Sequence, residues 1–460
     1  MGEVICVDFG STFTKASLVD LADGRIVAAA SHPTTIPLPD RGGDVLDGFT
    51  ACRAELARQD PRAADAEVLA CSSAGGGLRI AVLGNEELVT AEAGRRVALS
   101  SGGKVVGVFA RGQDLTGLRE LSPDVVLLTG GTDGGNAESL VEGAATLVDA
   151  GWTGPVVVAG SVDARDEVAG ILVGLPHVLT ENVVPRIGVL APDGARAAIR
   201  EMFLEHVIGG KHLSASDDFR QMVRGATPDV VLAGVELLAR GLDEDHPGAG
   251  DVAVVDVGGA TTDVHSVVAL DPEESAGGGG LSREVVAGTP VTRTVEGDLG
   301  MRWSALSTVE AAGLTELAAP ASIRRDRPGY LPEDEREADI DEQIARAAVD
   351  LALRRHAGRS RVVVSPEGRV LERTGKDLRE IDLLIGSGGV LRNGRPGVVD
   401  RVLAASLGPD HEGGWQLPRA PRVVVDHDYS LCAIGLLARP EPEAAYRLAQ
   451  RLSGDAGGSE

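Results

Sequence analysis

The sequence predicts an α/β protein of two related halves, with a further α/β layer inserted into the first. Three observations carry that prediction. A strand–turn–strand unit occurs twice, at residues 4–20 (VICVDFGSTFTKASLVD) and 252–265 (VAVVDVGGATTDVH). A third glycine-rich turn, residues 385–393 (IGSGGVLRN), follows the apolar run 381–385. Strands and helices alternate between residues 67 and 213, which reads as a parallel layer.

The two repeated units share a grammar. In the later one, four apolar positions form a short buried strand ending at Asp256. Gly258, Gly259, Thr261, Thr262 and Asp263 follow. Glycines at a turn leave backbone N–H groups uncovered, so the turn can close on phosphate oxygens. A strand-end Asp can hold a Mg²⁺ water or orient an attacking water. An ordinary hairpin is the competing reading. In the earlier unit the strand ends at Asp8, followed by Gly10, Ser11, Thr12 and Thr14. Aligning Asp8 with Asp256 puts Gly10 on Gly258, Thr14 on Thr262 and Lys15 on Asp263. Two such units suggest related half-molecules facing one ligand. In the third turn, Gly386, Ser387, Gly388 and Gly389 allow main chain to lie flat against an adenine or ribose.

The remaining elements follow in order. Residues 4–7, 15–19 and 25–30 read as a meander of strands, turning at Asp23-Gly24. Residues 31–43 form a Pro-rich loop, and 47–58 a helix with Phe49, Cys52 and Leu56 on one face. Residues 67–72 open the inserted layer with a strand, continued by 79–83 and 84–89 around a flexible 75–77 turn. Residues 124–129 (DVVLLT) form a strand that ends in GGTDGGN. A helix capped by Asn136 covers 137–150. That turn meets a helix N-terminus, which favours an anion, but a tight connection with no ligand is the preferred reading. A second strand spans 155–159, and a helix spans 193–207.

A helix covers 230–242, an acidic linker 243–250, and a returning strand 264–269. Residues 277–280 form a flexible tip. Residues 292–303 (TRTVEGDLGMRW) read either as a cleft lining or, preferably, as a solvated salt-bridged loop. Residues 324–337 read as mobile, 338–356 as an amphipathic helix, and 361–364 with 369–372 as a hairpin. The boundaries expected are 1–66 for the first lobe, completed by 429–452; 67–213 for the insert; 214–428 for the second lobe; and 453–460 for a disordered tail.

Bulk properties exclude several classes. The chain has 460 residues and a net charge of −25. That charge, with lysine only at Lys15, Lys104, Lys211 and Lys376, argues against a general nucleic-acid or anionic-membrane surface, which needs a basic face. The length supports two or three domains. With 3% aromatics, the core rests on Val, Leu, Ile and Ala. Cys6, Cys52, Cys71 and Cys432 show no metal-ligand spacing. No apolar run reaches membrane length and no signal peptide is read, so the expected location is cytoplasmic.

The motifs DFGSTFTK, DVGGATTD and GSGG resemble, in this order, the two phosphate loops and the adenosine loop of the actin/Hsp70/sugar-kinase superfamily. Residues 233–242 and 429–438, the latter with Ala433 and Gly435, resemble its two connecting helices. Adding CSSAGGGLRIAVLG, LLTGGTDGGN and TVEGDLGMR, the chain resembles the glutamate mutase accessory family, GlmL or MutL, over residues 4–438. That family is unrelated to the mismatch-repair protein of the same short name. The resemblance implies a two-lobed actin-like ATPase fold of duplicated ribonuclease-H-like domains, with an inserted α/β domain. It implies ATP and Mg as cofactors. The activity implied is that of an ATP-dependent reactivating chaperone for an adenosylcobalamin-dependent carbon-skeleton mutase, its partner.

By motif, Asp8 and Asp256 become Mg²⁺-water ligands, and Asp256 also a candidate for orienting the attacking water. Gly10, Ser11, Thr12, Thr14, Gly258, Gly259, Thr261 and Thr262 surround the phosphates. Lys15 either neutralises phosphate or is a surface residue. Gly386, Ser387, Gly388 and Gly389 face the adenosine. Glu236 is either a general base or metal-water ligand, or a packed helical Glu. No DxHxxG cobalamin signature occurs. Three other functions compete with this reading. A small-molecule kinase would bind its substrate in the insert. A non-hydrolysing scaffold would use nucleotide for shape. A dehydratase activator is disfavoured, because it needs paired hinge cysteines.

Overall fold

Strand β1 (Glu3–Phe9) runs antiparallel to β2 (Phe13–Asp20), which pairs with β3 (Arg25–Pro33). The loop expected from residue 31 therefore starts later: Ser31, His32 and Pro33 extend the β3 ladder opposite Lys15, Thr14 and Phe13. Helix α1 (Val45–Gln59) starts at a capping box, with Asp44 accepting from Leu46 N and Asp47 reaching back to Asp44 N. Its Phe49, Cys52 and Leu56 are buried, as their spacing required. Strand β4 (Glu67–Ser72) was expected to open the insert but pairs in parallel with β1, where its apolar side chains find that sheet's core.

The insert begins instead at β5 (Arg79–Gly84), followed by α2 (Thr90–Ser100), β6 (Lys104–Ala110) and β7 (Val125–Leu128). Then come α3 (Glu138–Asp149), β8 (Val156–Val158), α4 (Arg165–Ile171), β9 (His177–Leu179) and α5 (Asp193–Met202). All pairings in this five-stranded sheet are parallel, in the order β6-β5-β7-β8-β9. Both faces are covered, which explains uninterrupted apolar runs such as VVLL. Ile80, Val82, Val125 and Leu127 pack into one core, while Ala81, Leu83, Val126 and Leu128 pack into another. Gly94 and Gly107 interrupt the α2 and β6 patterns, so neither element was expected. Both glycines are packing sites: an added Cβ would lie 2.6 Å from Val82 Cγ1 and 2.6 Å from Leu121 Cδ1, respectively.

After α6 (Asp217–Met222), β10 (Val223–Ala226) returns beside β4 and completes the first sheet, in the order β10-β4-β1-β2-β3. Helix α7 (Thr227–Arg240) follows, starting earlier than expected.

The second half repeats this plan. Strands β11 (Val252–Val257), β12 (Thr262–Val267) and β13 (Val291–Glu296) form an antiparallel meander. The loop expected at 292–303 is thus strand up to Glu296. Helices α8 (Ala305–Ala311), α9 (Ala318–Asp326) and α10 (Glu335–His356) follow. Asp334 caps α10, so the expected mobile stretch 324–337 contains two helix ends. A hairpin of β14 (Arg359–Ser365) and β15 (Gly368–Thr374) precedes β16 (Leu383–Ser387), α11 (Gly389–Asn393), α12 (Val398–Leu403) and β17 (Arg422–Val425). The sheet order is β13-β12-β11-β16-β17, with β16 and β17 parallel to β11. Position by position this is the first sheet's topology. It is the duplicated ribonuclease-H-like arrangement of the actin-like ATPase fold. Helices α13 (Ser430–Leu437) and α14 (Pro442–Ser453) end the chain's described elements.

The computed structural model describes residues 2–35, 43–74, 78–85, 90–101, 103–113, 115–208, 213–214, 216–269, 289–365, 368–409 and 413–454. The expectations for the glycines at 75–77, the strand at 86–89, the tip at 277–280 and the tail beyond 454 lie outside these residues; Ser453, expected to begin the tail, instead closes the last helix, with Gly454 as its cap. Among the described residues the chain divides into two compact units, the first running up to 233 and the second covering 234–269 and 290–454. Residues 429–452, assigned from sequence to the first lobe, group with the second unit in this division. Among the described residues no helix is long and apolar enough to cross a membrane.

Candidate functional site

In the first unit, β1 carries Asp8 to the end of the sheet opposite Lys15 on β2 and Cys71 on β4. Gly10 N donates to Phe13 O at 3.2 Å and closes the turn. A Cβ on Gly10 would sit 2.7 Å from Phe13 O, so the turn requires glycine. Thr34 ties the turn's carbonyls back: its N–H donates to Thr12 O at 2.9 Å and its hydroxyl to Gly10 O at 2.9 Å. Thr14 Oγ1 lies 3.2 Å from Thr34 Oγ1. Ser11 and Thr12 are exposed at the tip. Asp8 Oδ1 accepts from Thr227 Oγ1 at 2.6 Å and from the Cys71 thiol at 3.7 Å. Thr227 opens α7, so the strand-end carboxylate is bonded to a helix start.

The second unit reproduces the turn. Gly258 N donates to Thr261 O at 2.9 Å, and a Gly258 Cβ would lie 2.8 Å from that oxygen. Met301 N donates to Gly258 O at 2.9 Å and Arg302 N to Gly259 O at 2.8 Å. Ser304 Oγ donates to Ala260 O at 2.6 Å. The residues after the EGDLG stretch therefore back this turn. Asp256 stands in register with Asp263 on β12 and Ser387 on β16. Thr262, which matches Thr14, is fully buried. Asp263 accepts from Arg293 Nη2 at 3.0 Å, which offsets the like charges of neighbouring carboxylates.

Asp426, just beyond β17, is a site member that sequence reading missed. It is 2% exposed and accepts from Ser430 N at 2.7 Å and Leu431 N at 3.1 Å, anchoring the start of α13. Burial raises its pKa above the usual Asp value, and the charge of Asp256 pushes the same way. The run VVVD ends in Asp as the runs before Asp8 and Asp256 do, which was a legible signal.

The third turn leaves β16. Gly388 has φ +111°, and a Cβ there would lie 2.3 Å from Val257 O, so main chain crosses main chain at that point. A Cβ on Gly386 would meet Leu391 Cδ1 at 2.8 Å, whereas Gly389 faces open space. The Arg392 guanidinium lies 4.2 Å from the centre of the Tyr429 ring. Asp256, Gly258, Ser387 and Gly388 thus come together within one unit, and Asp8, Gly10, Thr14 and Lys15 within the other. Glu236 lies in the second half of α7, with Oε1 3.5 Å from Arg240 Nη1.

Two further features bear on alternatives. In the GGTDGGN turn, Asp133 accepts from Val162 N and Asn182 Nδ2, and Asp163 accepts from Gly134 N. Carboxylates of the chain itself occupy donors there, which fits the ligand-free reading. Beyond the carboxyl ends of β5, β6 and β7 lies a cavity of about 340 Å³, lined by Gly84, Arg111, Thr129, Ser139, Glu142 and Thr146 among others. The four cysteines are free. Burial raises the Cys6 thiol far above its usual range and pushes Cys52 up to about 11.

A family model described as MutL protein matches residues 4–452. Protein MutL of Clostridium tetanomorphum is 36% identical over 472 residues, covering 98% of this chain and 99% of that protein. Among solved structures, the chain is similar to nucleotide-free acetone carboxylase at 14% identity and TM-score 0.41, over 95% of this chain and 70% of that one. It is similar to the ADPNP-bound activator of 2-hydroxyisocaproyl-CoA dehydratase from Clostridium difficile at 12% identity and TM-score 0.31, over 100% and 99% of the two chains. A glycerol dehydratase reactivase is similar at 13% identity and TM-score 0.34, over 96% and 100%. Scores this low bear neither on function nor on how the two units are arranged. The family match and the relative both span nearly the whole chain, and the chain belongs to the MutL protein family.

Proposed function

We propose that this chain is a cytoplasmic, Mg-ATP-dependent accessory factor that reactivates an adenosylcobalamin-dependent carbon-skeleton mutase such as glutamate mutase. One observation carries the reading. Two sheets of identical topology present the same Asp–x–Gly turn, each with its carbonyl oxygens tied back by neighbouring donors. A turn with satisfied carbonyls and a glycine-only backbone suits a phosphate, which needs N–H donors and repels bare oxygens.

The residues present fit the nucleotide. Ser11, Thr12, Gly258, Gly259 and Thr261 bind phosphate oxygens through backbone and hydroxyl groups. Asp8 in the first unit and Asp256 in the second are the carboxylates that would hold Mg²⁺ through water, and Asp256 would orient the attacking water. Main chain at Gly386–Gly389 lies against the adenosine, with Gly389 the open position. Bound Mg²⁺ supplies charge neutralisation for phosphoryl transfer. Two nucleotide states that bind the open and closed forms differently shift the conformational balance. Moving it from 1:99 to 99:1 takes about 5.5 kcal/mol of differential binding. Such work can open a mutase that holds a damaged cofactor.

The test is a pull-down of adenosylcobalamin mutase subunits by the full chain with ATP, with ADP and without nucleotide. Nucleotide-dependent capture is expected. Equal capture in all three states, with no ATP hydrolysis, overturns the reading.

A further inference from the structure

The two turns are held in place by different means. Thr34 secures the first. The second leans on Arg302, whose side-chain stem would pack 3.6 Å from a Cβ on Gly259 and whose N–H donates to Gly259 O. The guanidinium is itself clamped on three sides. Nε donates to Tyr330 O at 3.1 Å, Nη1 to Met301 O at 2.7 Å and Nη2 to Asp341 Oδ2 at 2.9 Å. Asp341, buried on α10, also accepts from Arg324 Nε through its other oxygen. Arg324 is fully buried on α9, donates to Glu337 Oε2 at 2.9 Å, and lies with its guanidinium 5.0 Å from the centre of the Tyr330 ring. The approach is close enough that Gly300 tolerates no side chain, since a Cβ there would lie 2.8 Å from the Ala260 carbonyl carbon.

Burying Arg324 and Asp341, and half-burying Arg302, costs desolvation that apolar packing would avoid. What the arrangement gives is fixed geometry, because a planar fork held at all its nitrogens cannot rotate. We propose that Arg302 is a positioning residue for the second phosphate turn, holding Gly258–Thr261 in the phosphate-ready geometry through the Asp341–Arg324 clamp. This rests on the function proposed above, and part of its test does not.

The experiment compares the full-length wild type with Arg302→Ala, Arg302→Lys and Arg395→Ala. Arg395 pairs with Glu342 and Asp339 on the same helix α10 and so reports loss of an ion pair there. Amide exchange in nucleotide-free protein is expected to speed up at least tenfold at residues 259–262 in Arg302→Ala, and to stay at the wild-type rate there in Arg395→Ala. Arg302→Lys supplies a point charge in place of the fork and is expected to fall between. With ATP, Arg302→Ala should lose about 10–100-fold in kcat/KM, as expected of a misplaced binding group, with Arg395→Ala at the wild-type value. Unchanged exchange at 259–262 in Arg302→Ala, or equal acceleration in Arg395→Ala, overturns the positioning role. That readout needs no nucleotide, so a wild type that neither binds nor hydrolyses ATP removes the proposed function and leaves the exchange result to decide on Arg302.

Discussion

Thr227 donates its hydroxyl to Oδ1 of Asp8 at 2.6 Å, although 219 positions separate them in the chain. The bond joins the end of β1 to the first residue of α7. In the second unit Asp426 occupies the matching place, between the last strand and the helix that follows it. Each strand-end carboxylate therefore has a neighbour at the start of a helix, through which a change in its charge or ligation reaches that helix.

Thr227→Val keeps the shape and removes the donor. A hydrogen bond to a charged acceptor contributes about 1.5–3 kcal/mol, less where water can replace it. The urea midpoint should fall by the equivalent of about 1–2 kcal/mol, and Thr227→Ser should restore most of it. A midpoint equal to wild type in Thr227→Val would show the bond contributes nothing.

Asp256→Ala should retain the wild-type circular dichroism spectrum and lose ATP turnover about 100-fold or more, the scale seen when a group that steadies developing charge is removed. Wild-type turnover in that variant takes Asp256 out of its assigned role.

His265 and His356 face opposite sides of the β11–β13 meander, and both are buried and neutral. Burial takes His265 well below the usual histidine value and lowers His356 to about 3. His356 lies 2.8 Å from Ser266 Oγ and 3.0 Å from Thr294 Oγ1, which fix the neutral ring. Unfolding lets each take up a proton below pH 6.5, so their contribution is present above that pH and lost as pH falls toward 3. The slope is about 1.4 kcal/mol per pH unit for each ring. Urea unfolding between pH 7 and 5 should show this fall, reduced in His356→Asn. An identical pH slope in that variant would falsify the assignment.

Gly234 lets α7 pass α13. A Cβ there would lie 2.4 Å from Leu431 O and 3.1 Å from Gly435 N. Gly234→Ala should lower the melting temperature despite its gain in helix propensity, by an overpacking cost of about 1–3 kcal/mol. A melt at or above wild type would show that the helices separate freely.

The three glycine turns were legible because their chemistry is local: an apolar strand, an acid, then glycines whose missing Cβ is sterically required. Gly435 is readable as a small residue at a helix crossing, whereas its counterpart Gly234 is not. The insert's α2 and β6 were not, because Gly94 and Gly107 break the periodicity to admit neighbours from distant segments. Glu67–Ser72 reads as a strand in any context, and nothing nearby says which sheet it joins. Thr227 and Asp341 are not legible, since their partners Asp8 and Arg324 lie 219 and 17 positions away; Arg302 is legible only as part of a candidate cleft lining, because the Gly259 carbonyl it backs lies 43 positions away. The β3 extension through Pro33 depended on pairing with β2, which composition cannot report.

The pairing of β4 with β10 spans an interval of 150 residues, 73 to 222. During synthesis at about 5–20 residues per second, β4 emerges roughly 8–30 s before the strand that covers it. For that interval its unpaired edge is open to other chains. Prior collapse of the parallel layer shortens the effective loop, and each halving recovers about 0.6 kcal/mol of closure entropy. A nascent chain halted before residue 223 is thus the form of this molecule most prone to self-association.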